Sequence, residues 1–196
     1  MEMCNGVTLA ELNISEADIE AMEKQRLCRC MHVCDDENFE MNIFIIPKGK
    51  SLPFHDHPGM TVVSKVVRGT LRLRSLSQIS VSDNPPLLKR ARTPAAAAAA
   101  AAAAVSPTAE VKTPLDPAWF LAPTIGNVHE LFAESTCIVF DVLMPPYKPP
   151  ERDCTYYKLS VDGSSLERAE EPEDNDAVWG AKYAGVRVVT SQDQKK

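Results

Sequence analysis

Residues 54–65 read Phe-His-Asp-His-Pro-Gly-Met-Thr-Val-Val-Ser-Lys, and they place His55 and His57 one residue apart. In an extended strand, alternate residues project to the same face, with their backbones about 6–7 Å apart. Two imidazoles at that spacing can reach the same metal ion. The alternative is a pair of unrelated surface histidines, and these two residues alone do not decide between the interpretations.

Glycines on either side of the histidine pair favour the metal site. Five residues separate Gly49 from His55, and eleven separate His57 from Gly69. This arrangement resembles the first signature of the cupin superfamily, which is Gly-x5-His-x-His-x3-4-Glu-x6-Gly. The resemblance implies that the pair belongs to a metal centre in a β fold.

A second motif supplies a third ligand. Gly126 stands three residues before His129, with Pro123 close by. This pattern resembles the second cupin signature, which is less specific than the first. The two signatures together imply a metal held by His55, His57 and His129.

The glutamate of the first signature is missing from this chain. It would fall at position 61 or 62, where the chain has Thr61 and Val62. A divalent ion held by neutral histidines alone keeps its full charge, which favours a soft anionic ligand such as a thiolate. Three ligands on one face leave up to three positions for substrate and dioxygen, and a cysteine-like substrate can fill two of them through sulfur and amine.

Four blocks of sequence identify a closer resemblance. They are residues 54–65, 122–129, 140–147 and 152–157. In this order they resemble the plant cysteine oxidase and cysteamine dioxygenase family, although Ile125 stands where that family often has glycine. The resemblance implies an all-β cupin fold, the double-stranded β-helix or jelly roll, with iron(II) as the metal and dioxygen as co-substrate. Both oxygen atoms then end on the substrate sulfur, giving a sulfinic acid.

The family resemblance implies two classes of substrate. One is the N-terminal cysteine of proteins or peptides, whose oxidation marks them for degradation as oxygen rises, through the N-degron pathway. The other is cysteamine, which would become hypotaurine. We therefore expect an iron(II) thiol dioxygenase, and the alternative outside enzymes is a cupin that binds a metal or small ligand without turnover.

Two further residues are candidates for catalysis. Asp141 lies in the apolar run 137–143, where a carboxylate is costly to bury unless it is paired. The resemblance implies that it lies near the iron and binds the substrate amine or orients Tyr147, whereas an internal salt bridge with an arginine is the alternative. Tyr147 is expected to donate a hydrogen bond near bound oxygen, or else to pack as a loop aromatic. Cys154 and Tyr156 could crosslink oxidatively, although core packing explains both equally well.

Short runs with a two-residue period predict an all-β barrel or sandwich after one N-terminal helical segment. The helix is predicted over residues 7–26. Glycine- and proline-containing turns separate most of the runs. The predicted strands are residues 27–34, 41–46, 61–67, 70–76, 137–143, 154–159 and 186–189.

Residues 77–117 interrupt the strand pattern. They contain an unbroken alanine run, 95–104, between prolines, which is too short to be stable as an isolated helix in water. We expect a disordered loop inserted into one cupin domain of residues 1–196, because strand patterns resume after it. Residues 166–176 are dense in glutamate and aspartate and are predicted to form a solvated loop.

Composition limits the partners and the compartment. A net charge of −6 disfavours binding to the phosphates of nucleic acid. No apolar run approaches the roughly 20 residues that span a bilayer, so no membrane partner is expected. The first residues lack the features of a signal peptide, so the six cysteines are expected to be free thiols in the reducing cytosol or nucleus. We also expect a monomer.

Overall fold

The structure is a computed structural model that describes residues 2–77, 107–161, 166–171 and 177–183. These residues contain two short helices and twelve strands. The helices are α1 (Glu2–Asn5) and α2 (Glu16–Gln25). The strands are β1 (Cys28–Asp35), β2 (Glu40–Ile46), β3 (Ser51–His55), β4 (Thr61–Arg68), β5 (Leu71–Leu76), β6 (Thr108–Lys112), β7 (Trp119–Leu121), β8 (Val128–Ala133), β9 (Cys137–Met144), β10 (Tyr156–Leu159), β11 (Leu166–Ala169) and β12 (Ala177–Lys182).

The strands form two six-stranded sheets. The first sheet has the order β12-β1-β2-β9-β4-β7, and the second has the order β11-β10-β3-β8-β5-β6. The β1–β12 pair is parallel, and the other strand pairs of the described residues are antiparallel. Two facing sheets of this kind are the cupin double-stranded β-helix, so the predicted fold class is confirmed.

The main core lies between the two sheets. Val66 and Val139 of the first sheet pack against Leu52 and Leu131 of the second. Because side chains alternate along a strand, the remaining residues of the first sheet point to its other face. That face is covered as well, and Ile138 packs there in a second cluster with residues of the N-terminal segment.

The helix of the N-terminal segment begins later than predicted. Ser15 caps α2, since its hydroxyl accepts a hydrogen bond from the backbone N–H of Asp18 at 3.2 Å and the Asp18 carboxylate accepts one from the Ser15 N–H at 2.9 Å. Residues 9–13 form turns, although Leu12 and Ile14 are buried against the sheet. Their apolar spacing therefore reflects packing and not helix, and the prediction of a helix over 7–26 was wrong in its first half.

Neither of these helices has the length and apolar composition that a membrane-crossing helix needs.

Two segments predicted as loops contain strands. Residues 108–112 form β6, which pairs with β5, so the predicted loop insert at 77–117 is wrong for its C-terminal part. Residues 78–106 and the predicted strand 186–189 lie outside the described residues. Residues 166–169 form β11, paired with β10. Both β6 and β11 are largely exposed. They therefore lack the alternation of apolar residues by which a strand is predicted, and they are held by backbone pairing.

Gly69 provides a test of the tight turn between β4 and β5. Its φ is +90°, and a Cβ there would overlap the carbonyl oxygen of Thr136. We expect Gly69→Ala to lower the free energy of unfolding by about 2–4 kcal/mol, as measured by urea denaturation. The control is Gly49→Ala, because Gly49 has a φ of +79° and open space around the added methyl group. It should cost only about 1 kcal/mol, and equal losses in the two variants would contradict the steric argument.

Candidate metal centre

Three imidazoles converge at one end of the space between the sheets. His55 ends β3 and pairs with His129, the second residue of β8. His57 follows two residues after His55. The Nε2 atom of His129 lies 3.1 Å from Nε2 of His55 and 3.1 Å from Nε2 of His57. Within the described ranges this is the one group of histidine, cysteine, aspartate and glutamate side chains whose ligand atoms could share a metal ion.

The backbone of the histidine pair differs in one respect from the prediction of a single strand. β3 ends at His55, and the next residue, Asp56, donates its N–H to the carbonyl of Thr155 at 3.1 Å. His57 opens a turn, in which its carbonyl accepts from the N–H of Met60 at 3.1 Å. The two rings still face the same space, with centroids 4.9 Å apart.

A hydrogen bond at Nδ1 of His55 leaves its Nε2 available for a metal. Nδ1 of His55 lies 2.8 Å from the carbonyl oxygen of Pro53. A carbonyl can only accept, so Nδ1 carries the proton and Nε2 keeps its lone pair. Burial lowers the pKa of His55, and it lowers the pKa of His57 and His129 well below the usual value. Neutral imidazole is the form that binds metal ions, so this donor set fits a divalent cation.

Tyr147 contacts one of the three imidazoles from the side opposite its Nε2. The hydroxyl of Tyr147 donates to the carbonyl of Asp56 at 2.8 Å, and it lies 2.7 Å from Nδ1 of His57. Since its one proton goes to the carbonyl, the hydroxyl accepts from the Nδ1–H of His57. Such a contact orients a metal-binding imidazole. The geometry therefore makes Tyr147 a positioning residue, and the role of hydrogen-bond donor to bound oxygen stays a prediction.

Asp56 is a functional residue that the sequence analysis missed. Its carboxylate accepts from the N–H of Thr155 and from the hydroxyl of Tyr157, both at 2.8 Å. These bonds tie the histidine turn to the start of β10. An ionisable residue between two metal ligands was the available signal, but its partners lie about a hundred positions away in the chain.

Asp141 lies on β9 and faces the space between the sheets, as Val139 does two residues earlier. No arginine or lysine of the described residues forms an ion pair with it, so the predicted alternative of an internal salt bridge is not found there. Burial raises the pKa of Asp141 to about 7, and the nearby hydroxyl of Ser64 opposes that rise. Neither Oδ1 of Asp141 nor Oγ of Ser64 has a well-formed hydrogen bond.

Cys154 lies beside two tyrosines. Its thiol is close enough to hydrogen-bond with Tyr147 and Tyr156, and burial raises its pKa to about 11. A thiol with so high a pKa is neutral and a poor nucleophile. The oxidative crosslink between Cys154 and Tyr156 stays a prediction.

Comparison with known proteins gives one family. The family model PCO_ADO matches residues 3–194. The chain is 34% identical over 180 residues to plant cysteine oxidase 1 of Arabidopsis thaliana, covering 81% of this chain and 57% of that protein. It is 31% identical over 144 residues to 2-aminoethanethiol dioxygenase of Homo sapiens, covering 66% of this chain and 51% of that protein. The chain thus spans little more than half the length of these curated relatives.

Similar solved structures include an RmlC-like cupin protein from Desulfovibrio desulfuricans. It is 17% identical with a TM-score of 0.38, and the match covers 61% of this chain and 84% of that one.

Replacing one imidazole tests the metal centre. We expect His129→Ala to weaken binding of a divalent metal ion by roughly 100-fold or more, because one of three ligands is lost. The measurement is metal content per chain after loading and dialysis, with circular dichroism to check the fold. His32→Ala is the control, since His32 contacts Asp35 at the surface. Normal metal content in His129→Ala would disprove the assignment.

The buried carboxyl of Asp141 predicts a pH dependence in the metal-free protein. Its folded-state pKa is about 7, whereas an aspartate in an unfolded chain titrates near about 3.9. Between these values the folded protein binds the extra proton, so the free energy of unfolding should fall as the pH rises. Asp141→Asn should lack this loss and be more stable than the unchanged protein by roughly 2–4 kcal/mol at about pH 8. Urea unfolding measures it, and an equal difference at about pH 5 would contradict the prediction.

Proposed function

The chain belongs to the PCO_ADO family, and from that premise we propose that it is an iron(II) thiol dioxygenase acting on the N-terminal cysteine of a peptide or protein. The product is the cysteine sulfinic acid. Its cellular role would then be oxygen sensing through the N-degron pathway. The family membership supports the reaction type, and the chemistry of the site supports a substrate with a thiol and a neighbouring amine.

The observation that carries the proposal is the all-histidine site. Three neutral imidazoles converge, and no carboxylate of the described residues joins them. The charge of a divalent ion would therefore be uncompensated, which favours the thiolate form of a substrate. Bound iron(II) would supply the redox chemistry by which dioxygen combines with sulfur.

The reaction balances without any further reductant. A thiol, R–SH, and dioxygen give a sulfinic acid, R–SO2H. The O–O bond breaks and two S–O bonds form. Sulfur loses four electrons and dioxygen gains them, and the thiol proton ends on the sulfinic acid.

Residues of the chain position the reactants. Tyr147 holds the ring of His57 through Nδ1. Asp141, buried and facing the same space, would accept a hydrogen bond from an N–H of the neutral substrate amine. A thiolate and an amine on adjacent carbons close a five-membered chelate, so the amine helps to bind the sulfur in a single orientation.

The second candidate is a cysteamine dioxygenase. It is supported by the 31% identity to human 2-aminoethanethiol dioxygenase. Cysteamine offers the same thiol and amine, so the metal alone cannot choose between the two substrates. A metal-binding cupin without turnover is a third possibility that the same assay tests.

The cellular setting belongs to the proposal too. None of the six cysteines, all of which lie within the described residues, forms a disulfide, which supports work in the cytosol or nucleus. We also propose that the protein acts as a monomer and without nucleic acid.

The decisive measurement compares three substrates with iron-loaded protein. They are a short peptide with N-terminal cysteine, the same peptide with its amine acetylated, and cysteamine. We expect the free-amine peptide to gain two oxygen atoms by mass spectrometry. Acetylation should slow the reaction by roughly 100-fold or more, because it removes one chelating group.

Two other outcomes would decide against the proposal. Efficient oxidation of cysteamine with none of the free-amine peptide would establish the small-molecule enzyme instead. No oxidation of any thiol by iron-loaded, folded protein would leave a metal-binding cupin.

A further inference from the structure

A row of polar residues crosses the inner face of the first sheet immediately beyond the apolar core. On β9 the inward position after Val139 is Asp141, and on β4 the inward position before Val66 is Ser64. Ser64 is paired with Asp141 on one side and with Trp119 of β7 on the other. These three side chains are therefore neighbours on adjacent strands.

The row lies at the same level as the metal ligands. On β8 of the second sheet, Leu131 belongs to the apolar core and the next inward residue is His129. On the first sheet the same step leads from Val139 to Asp141. The indole of Trp119 packs against this core and against a further apolar cluster that includes Tyr147. Both steps lead away from the connection between β8 and β9 at residues 134–136, which puts the polar row and His129 on the same side of the apolar core.

Three polar atoms of the row are buried without a well-formed hydrogen bond, although the Ser64 hydroxyl lies near the Asp141 carboxyl. They are Oδ1 of Asp141, Oγ of Ser64 and Nε1 of Trp119. Ser64 is fully buried and Asp141 is 3% exposed. A buried polar atom without a well-formed hydrogen bond destabilises a folded protein, so three in adjacent positions are expected where a ligand supplies the partners.

The chemistry of the row matches one end of a particular substrate. A carboxylate accepts hydrogen bonds, the indole N–H only donates, and a serine hydroxyl does both. An N-terminal cysteine carries a donor, its amine, and an acceptor, its carbonyl oxygen, on the same carbon. Adjacent strands are about 4.8 Å apart, so the neighbouring carboxylate and donors can reach adjacent groups. Cysteamine has the amine but no carbonyl.

We propose that Ser64 and Trp119 bind the carbonyl oxygen of the substrate's first residue, next to the amine held by Asp141, and so select cysteine with a blocked carboxyl end over cysteamine. This inference rests on the proposed function and names the specificity determinant of the same site. The Lys112 ammonium of β6 lies 5.8 Å from the centroid of the Trp119 ring.

The test compares two substrates that differ by one group. The amide of cysteine is cysteamine with a carboxamide on the carbon that bears the amine. The measured quantity is the ratio of kcat/KM for cysteine amide to kcat/KM for cysteamine, so any general loss of activity cancels. We expect Ser64→Ala and Trp119→Phe each to lower this ratio by about tenfold, which corresponds to one hydrogen bond.

Ser51→Ala is the matched control, because Ser51 begins β3 at the end remote from the metal site. Its ratio should equal that of the unchanged protein. An unchanged ratio in both Ser64→Ala and Trp119→Phe would overturn the inference. So would a large fall in the melting temperature of metal-loaded, ligand-free Ser64→Ala, since a hydroxyl without a well-formed hydrogen bond should be dispensable to the fold.

A binding measurement separates this inference from the proposed function. Zinc-loaded protein is titrated calorimetrically with serine amide and with ethanolamine, which differ by the same carboxamide and cannot be oxidised as thiols. Preference for serine amide that is lost in Ser64→Ala and Trp119→Phe supports the carbonyl site even if no thiol is oxidised. Equal binding of both compounds by the unchanged protein rejects it even if thiols are oxidised.

Discussion

The pairing of β3 with β8 is the contact on which the metal centre depends. It places His55 opposite His129, and the register is irregular between Leu52 and His55. Pro53 lies within that irregularity and has no N–H to give to the ladder. Its carbonyl instead accepts from Nδ1 of His55 at 2.8 Å. The irregular register at Pro53 therefore frees a carbonyl that orients the imidazole of His55.

Burial on both faces of the first sheet explains why β9 is apolar over most of its length. The N-terminal segment covers the outer face and the second sheet covers the inner one. Five consecutive residues of β9 are buried as a result, and the last of them is Asp141. Burial raises the pKa of this carboxyl, and a buried titratable group of this kind is typical of functional sites.

Hydrogen bonds join the histidine turn, the proline-rich segment after β9 and the start of β10. Asp56 lies in the histidine turn and accepts three of these hydrogen bonds. Its carbonyl accepts one from Tyr147, and its carboxylate accepts the other two from Thr155 and Tyr157. The same Tyr147 hydroxyl contacts His57. A ligand held by such a network keeps its geometry before a metal or substrate arrives, which reduces the cost of ordering the site.

Residue order alone was enough to predict the all-β fold class and the three histidines that meet. Glycine spacing marks the turns around His55 and His57, and short apolar runs with a period of two mark most of the core strands. It was not enough for β6 and β11, because these exposed strands have no apolar pattern and form through backbone bonds to β5 and β10. It was also misleading at residues 7–15, where apolar spacing served packing and not a helix.

Only folding could bring Asp141, Ser64 and Trp119 into one row. They come from three strands that are distant in sequence, and each is ordinary in its own local context. The register of β4 with β7 and β9 makes them neighbours, and that register follows from which faces of the sheets are buried. The ligand set could therefore be predicted from a local pattern, whereas the surroundings that select a substrate arise from pairing between strands.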